Sequence, residues 1–243
     1  MITIKSLVKT FGRITAVSDL SLEVSKGEVF GFLGPNGAGK TTTVKILAGV
    51  TRPTSGTALL GGYDILKEPM MAKRITAYIP DSPFVYEKLT GLEFLKFIGG
   101  LYSLNHSNLE KQATELLERF SLEDRAHELV EGYSHGMRQK LVFCAALIID
   151  PRILVVDEPM VGLDPKSARM VKNLMRDMCE EGRTVFMSTH SLDVASRICD
   201  RIGIIQEGTL RALGTMDELH HLAGTTDPDL ENIFLTITNE ADS

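Results

Sequence analysis

Apolar and polar residues alternate along two early stretches, Ile2-Thr3-Ile4-Lys5 and Leu20-Ser21-Leu22-Glu23-Val24, with Phe11-Gly12-Arg13 between them. A period of two marks a strand with one buried face, so residues 2–24 predict antiparallel β structure. Unbroken apolar runs follow in Val29-Phe30-Gly31-Phe32-Leu33, Ile153-Leu154-Val155-Val156 and Thr184-Val185-Phe186-Met187-Ser188. Runs of this kind suit strands covered on both faces, as in a parallel sheet. Short strands are expected at 57–60, after a turn at 52–56, and at 75–79, closed by Pro80-Asp81-Ser82-Pro83.

Between 84 and 150 the pattern becomes helical. Thr90-Gly91-Leu92-Glu93 and Ser107-Asn108-Leu109-Glu110 both fit a capping box. Behind the second, Leu109, Ala113, Leu116, Leu117 and Phe120 share one helical face. Further on, Asp164 caps a helix with Pro165 at its first position and Gly182 just past its end. A helix is expected at 191–199, a hairpin at 201–213 turning at Glu207-Gly208, and a short helix followed by a weaker segment over 216–243.

With 243 residues, 43% apolar and 24% charged, the chain has ample material for a core and no low-complexity tract. Its net charge of −6 lacks the basic excess of a nucleic-acid binder, and no nucleic-acid partner is expected. The longest apolar run, Leu141 to Ile149, is nine residues, under half the roughly 20 that a membrane span needs. The first residues begin directly with an alternating strand and lack a signal-peptide layout. Cys144, Cys179 and Cys199 are scattered without metal or redox spacing, which fits reduced, buried thiols of a cytosolic protein.

Candidate chemistry begins at Gly34-Pro35-Asn36-Gly37-Ala38-Gly39-Lys40-Thr41-Thr42, placed between a predicted strand and a predicted helix. This is the P-loop pattern. Its glycines let backbone N–H groups turn inward around a phosphate, Lys40 reaches the terminal phosphates, and the Thr41 hydroxyl ligates Mg²⁺. A nucleoside triphosphate is therefore the expected ligand. Asp157-Glu158 closes the run Ile153 to Val156. An aspartate at the C-terminal end of a strand is where P-loop enzymes hold Mg²⁺, and the adjacent glutamate is placed to orient or deprotonate a water.

Four further motifs make the likeness specific. Tyr133-Ser134-His135-Gly136-Met137-Arg138-Gln139, Gly162-Leu163-Asp164, Ser188-Thr189-His190 and Pro80-Asp81 stand in order along the chain. With the P-loop and the Asp157-Glu158 strand, they resemble the signature, D-loop, switch histidine and Q-loop of the ATP-binding cassette (ABC) family. The likeness covers nearly the whole chain. It implies an α/β fold with a P-loop NTPase core, an antiparallel β subdomain and a helical insert. The matching division is 1–83 with 151–215 for the core, 84–150 for the helical subdomain and 216–243 for a C-terminal extension.

The resemblance also implies function. ATP and Mg²⁺ are the expected cofactors, with hydrolysis by Glu158, His190 and Lys40, and metal ligation by Thr41, Asp157 and Asp81. Nucleotide contacts are expected from the P-loop residues 34–42, from Phe11 stacked on adenine, and from Ser134, Gly136 and Met137, presented to the γ-phosphate on a second subunit. The implied partners are a second cassette and a separate integral membrane permease, with the chain on the cytoplasmic face. Tyr133-Ser134, the acidic Q-loop and Leu230 to Thr238 resemble the bacterial ABC-2 type, largely exporters. Three positions depart from the family pattern: Asp81 replaces the usual Gln, and His135 and Met137 replace Gly and Gln. The competing reading is a soluble ABC-type ATPase acting on a macromolecule or as a regulator. A single cassette without sustained heptads argues against it.

Overall fold

A computed structural model describes residues 1–224 and 230–239. The alternating start folds as β1 (Ile2–Phe11) and β2 (Ile14–Val24), an antiparallel pair whose apolar side chains Ile2, Ile4, Leu20, Leu22 and Val24 are buried. The first apolar run is β3 (Val29–Leu33), buried at all five positions, and it feeds α1 (Lys40–Leu47). After α1 come β4 (Ser55–Leu60), β5 (Tyr63–Asp64), α2 (Pro69–Arg74) and β6 (Thr76–Ile79). The helical stretch holds α3 (Gly91–Leu101), α4 (His106–Arg119) and α5 (His135–Leu147). The remaining elements are β7 (Ile153–Asp157), α6 (Pro165–Glu180), β8 (Thr184–Thr189), α7 (Leu192–Ile198), β9 (Arg201–Gln206), β10 (Thr209–Gly214), α8 (Met216–Ala223) and α9 (Leu230–Asn239).

Two sheets result. One is antiparallel, in the order β2-β1-β4-β5. The other runs β10-β9-β3-β8-β7-β6, with β9, β3, β8, β7 and β6 parallel and β10 antiparallel at the edge. In the second sheet β3 lies beside β8, and β8 beside β7. That order brings the C-terminal ends of β3, β8 and β7 together, where ligands bind in open α/β sheets.

Two expectations are corrected. The box at Ser107-Glu110 does not form, because the chain turns into α4 two residues earlier. Asn105, still extended, accepts from the Ser107 amide at 3.1 Å and from its hydroxyl at 2.9 Å, so that hydroxyl is already engaged inside the helix. The box at Thr90-Glu93 forms with both reciprocal bonds. The segment after α8 is also more than a weak tail. Leu230, Ile233 and Ile237 recur at helical spacing, are buried, and pack α9 against β9, β10 and α7. Residues 225–229 and 240–243 of the expected C-terminal extension lie outside the described residues. Among the described residues no helix is long and apolar enough to cross a membrane.

Candidate nucleotide site

The loop after β3 is shaped by what surrounds it. A β-carbon on Gly34 would stand 2.3 Å from the Ile205 carbonyl oxygen, and one on Gly39 2.3 Å from that of Ala16. The loop is thus pressed between β9 and β2, and Gly39 adopts φ +106. Because Gly39 as N-cap has no side chain, the first amides of α1 remain available at a helix N-terminus, where an anion is favoured. Lys40 is buried, and its ammonium donates to the Gly34 carbonyl at 2.6 Å and the Pro35 carbonyl at 3.0 Å. Burial lowers its pKa below the ordinary lysine value, opposed by the charges of Glu158 and Asp157.

Asp157 ends β7 in complete burial. One carboxylate oxygen accepts from the Ser188 hydroxyl on the neighbouring strand β8; the other, Oδ2, has no hydrogen-bond partner. Burial pushes this carboxyl above its ordinary range, the Ser188 and Thr41 hydroxyls pull it back, and the carboxylates of Asp81 and Glu158 add to the rise. A buried carboxylate oxygen without a donor, with the Thr41 hydroxyl alongside, suits a hard cation that takes oxygen ligands, as Mg²⁺ does.

Glu158 follows in the left-handed region at φ +49, its amide donating to the Ser188 carbonyl at 3.0 Å. Its Oε1 lies 2.7 Å from His190 Nδ1, and its Oε2 accepts from the Thr189 hydroxyl at 3.1 Å. The carboxylate is fixed at both oxygens by the end of β8. Asp81, just beyond β6, accepts from the amide of Ser82 at 2.8 Å.

An open cleft of about 270 Å³ collects these groups: Asn36, Gly37, Gly39, Lys40, Thr41 and Thr42 on one side, with Asp81, Glu158 and His190 across from them. Gly34, Pro35, Ala38 and Asp157 do not line it. Four other expected contacts stand apart. Phe11, half exposed at the end of β1, pairs across the hairpin with Ile14 and carries the Lys9 ammonium 4.7 Å from its ring centre. Ser134 caps α5, accepting from the Met137 amide at 3.3 Å, and neither it, Gly136 nor Met137 lines the cleft.

Sequence reasoning missed three contributors. Ala16 lines the cleft from β2 and bears against Gly39. Ser188 and Thr189 stand out in sequence only as neighbours of His190, yet they hold Asp157 and Glu158. The available signal was that both are polar residues closing an apolar strand run.

Comparison with known proteins adds four findings. A family model described as "ABC transporter" matches residues 17–161. The linearmycin resistance ATP-binding protein LnrL of Bacillus subtilis (strain 168) is 39% identical over 227 residues, covering 93% of this chain and 73% of that protein. Among solved structures, an ATP-binding subunit of an ABC transporter superposes with a TM-score of 0.92 at 32% identity, over 98% of this chain and 99% of the other. The ATP-binding cassette MJ0796, solved as a post-hydrolysis dimer bound to ADP and Pi, gives 0.81 at 25% identity, over 88% and 98%.

Proposed function

The chain belongs to the ABC transporter family, and from that premise we propose that it is the ATP-hydrolysing subunit of a transporter whose membrane path lies in a separate permease. The observation that carries the mechanism is the Glu158 carboxylate, held by His190 and Thr189 across one cleft from Lys40 and Thr41.

In this reading the loop amides and the Lys40 ammonium take the β- and γ-phosphates, and Phe11 offers its ring to adenine. Lys40 exchanges its two loop carbonyls for phosphate oxygens. Thr41 and Asp157, with Asp81 beside them, would hold Mg²⁺, which would supply positive charge against the negative charge developing on the phosphates. Glu158 accepts a hydrogen bond from water and aligns it with the γ-phosphorus, while His190 fixes Glu158 and meets the γ-phosphate from the same side. Little bond-making falls to the protein; positioning and charge stabilisation supply most of the rate.

The second half of each site comes from another subunit. Ser134, Gly136 and Met137 open the N-terminus of α5 away from the cleft, a surface suited to the γ-phosphate held on a second cassette. Two subunits then close head to tail on two Mg-ATP, and phosphate release weakens their interface. The dimeric MJ0796 structure and the resistance role in the name of LnrL support a dimer and export, respectively. Exposed Phe84 and Tyr86 beside Asp81, with Phe97 and Tyr102 from α3 and its end, form the face on which the permease docks. Residues 84–150 act as the helical subdomain that carries this face and the signature. The working place of the chain is then the cytoplasmic side of the membrane.

The test is capture from native membranes with tagged Glu158→Gln, using Lys40→Ala as the nucleotide-free control. Glu158→Gln is expected to bind ATP, accumulate a dimer, turn over almost no ATP and retain an integral membrane protein in an ATP-dependent complex. Undiminished turnover removes Glu158 from its role; capture of soluble proteins or nucleic acid alone ends the transport assignment.

A further inference from the structure

Gln139 in α5 is wholly buried, and both its amide nitrogen and its amide oxygen lack hydrogen-bond partners. Nearly all buried polar side-chain atoms are paired, so an amide with both ends unsatisfied calls for an explanation. Its place in the helix supplies one. Helical side chains lean toward the N-terminus, over the turn before their own Cα. The turn before Gln139 holds His135 and Gly136, four and three positions back, and these are the residues on which the loop between Glu158 and Asp164 rests. A β-carbon on Gly136 would stand 3.2 Å from the Gly162 carbonyl oxygen, and one on Gly162 would stand 2.3 Å from His135 Cδ2.

Few hydrogen bonds of its own hold that loop. It leaves Glu158 in the left-handed region, passes Gly162 at φ +77, and is closed by two long turn bonds, Val161 to Glu158 at 3.2 Å and Leu163 to Met160 at 3.3 Å. Its upstream end is the carboxylate proposed to align water, and its floor is the α5 N-terminus proposed to receive the other subunit's γ-phosphate.

We infer that Gln139 is a positioning residue for ATP-driven closure: its amide gains its hydrogen bonds when the loop 159–163 shifts over α5 in the closed state, with a loop carbonyl such as that of Gly162 accepting from Nε2. This rests on the proposed closure of two subunits on ATP. The resting fold carries the cost of the unsatisfied amide, and closure recovers it, so Gln139 favours the closed state.

Gln139→Met keeps the size of the side chain and removes both polar atoms; Gln139→Leu is the second variant. Each is made in the native chain for thermal unfolding without nucleotide, and in the Glu158→Gln background for ATP-dependent dimerisation by sedimentation. The expected pair of results has opposite signs: the unfolding midpoint rises by a few degrees, and dimerisation weakens roughly tenfold, the scale of one hydrogen bond or two. A midpoint that falls shows the amide already satisfied in the resting fold and overturns the inference, whatever dimerisation does. A raised midpoint with unchanged dimerisation overturns it as well, since the amide then plays no part in closure. Failure of Glu158→Gln itself to dimerise defeats the underlying reading, and is distinguished by occurring before Gln139 is changed.

Discussion

A methyl group on Gly39 would fall 2.3 Å from a backbone oxygen of β2, and at φ +106 it would also sit in a conformation that L-residues avoid. Gly62 has a comparable φ of +93, but a β-carbon there meets nothing within 4 Å. The two therefore separate strain from crowding. Gly62→Ala is expected to cost about 1–2 kcal/mol from backbone strain alone. Gly39→Ala adds overpacking of about 1–3 kcal/mol, because backbone rather than a flexible side-chain end must move. At about 2–4 °C per kcal/mol for a chain of this size, calorimetry should place the Gly39→Ala midpoint clearly below that of Gly62→Ala, and titration should show loss of ATP binding in the first only. Equal midpoints would mean that the loop is not gripped by β2. The glycine spacing and Lys40 were legible because they lie within one short stretch. The unpaired Asp157 Oδ2 and the two clamps on Glu158 were not, because their partners Ser188, Thr189 and His190 come from a strand about 30 residues away, and only the sheet order brings them alongside.

At the scale of elements, periodicity succeeded where a single face decides burial and failed where two local signals compete. The runs at β3, β7 and β8 are buried at every position, as apolar runs bounded by turn residues predict. At α4 two N-cap candidates stand two residues apart, and Asn105 wins by engaging both the amide and the hydroxyl of Ser107. In α9, Thr236 and Thr238 mask a helical repeat; their hydroxyls bond back to Asn232 and Phe234, which lets polar residues sit in a helix whose other face is apolar. That face covers the edge hairpin of the main sheet. Ile233 is completely buried between α9, α7 and β9–β10, so Ile233→Ala is expected to cost about 2–5 kcal/mol and lower the unfolding midpoint by roughly 5–15 °C. A change within about 1 °C would show that α9 contributes little to the fold.

At the scale of the molecule, the buried apolar residues among the described residues form three clusters. One lies between the two sheets, one beneath α7, α8 and α9, and one joins the parallel sheet to α3, α4 and α5. The third cluster makes the helical stretch mechanically continuous with β6, which leads into Asp81, and with β7, which ends at Asp157. Above this junction the surface turns apolar: Phe84 is 75% exposed, and Tyr86 stacks edge-on against both Phe84 and Phe97 at 5.9 and 5.2 Å. A groove of about 290 Å³ lined by Tyr78, Pro80, Phe84, Phe94, Ile98 and Tyr102 runs beside these rings. From it Tyr78 feels the charges of Asp157 and Asp81. Its hydroxyl is buried without a partner, and burial, then Asp157 and Asp81, push its pKa up to about 12. An exposed aromatic cluster is costly to leave in water and marks a partner surface more often than an idle one. Because Phe84 lies on the loop after Asp81 and outside the nucleotide cleft, Phe84→Asp should leave ATP titration of the isolated chain unaltered. In the Glu158→Gln capture experiment it should lower the recovered membrane protein by tenfold or more, about the loss of 1.4 kcal/mol. Recovery at the Glu158→Gln level would place the permease elsewhere on the molecule; loss of ATP binding along with capture would mean that the aromatic loop shapes the nucleotide cleft itself.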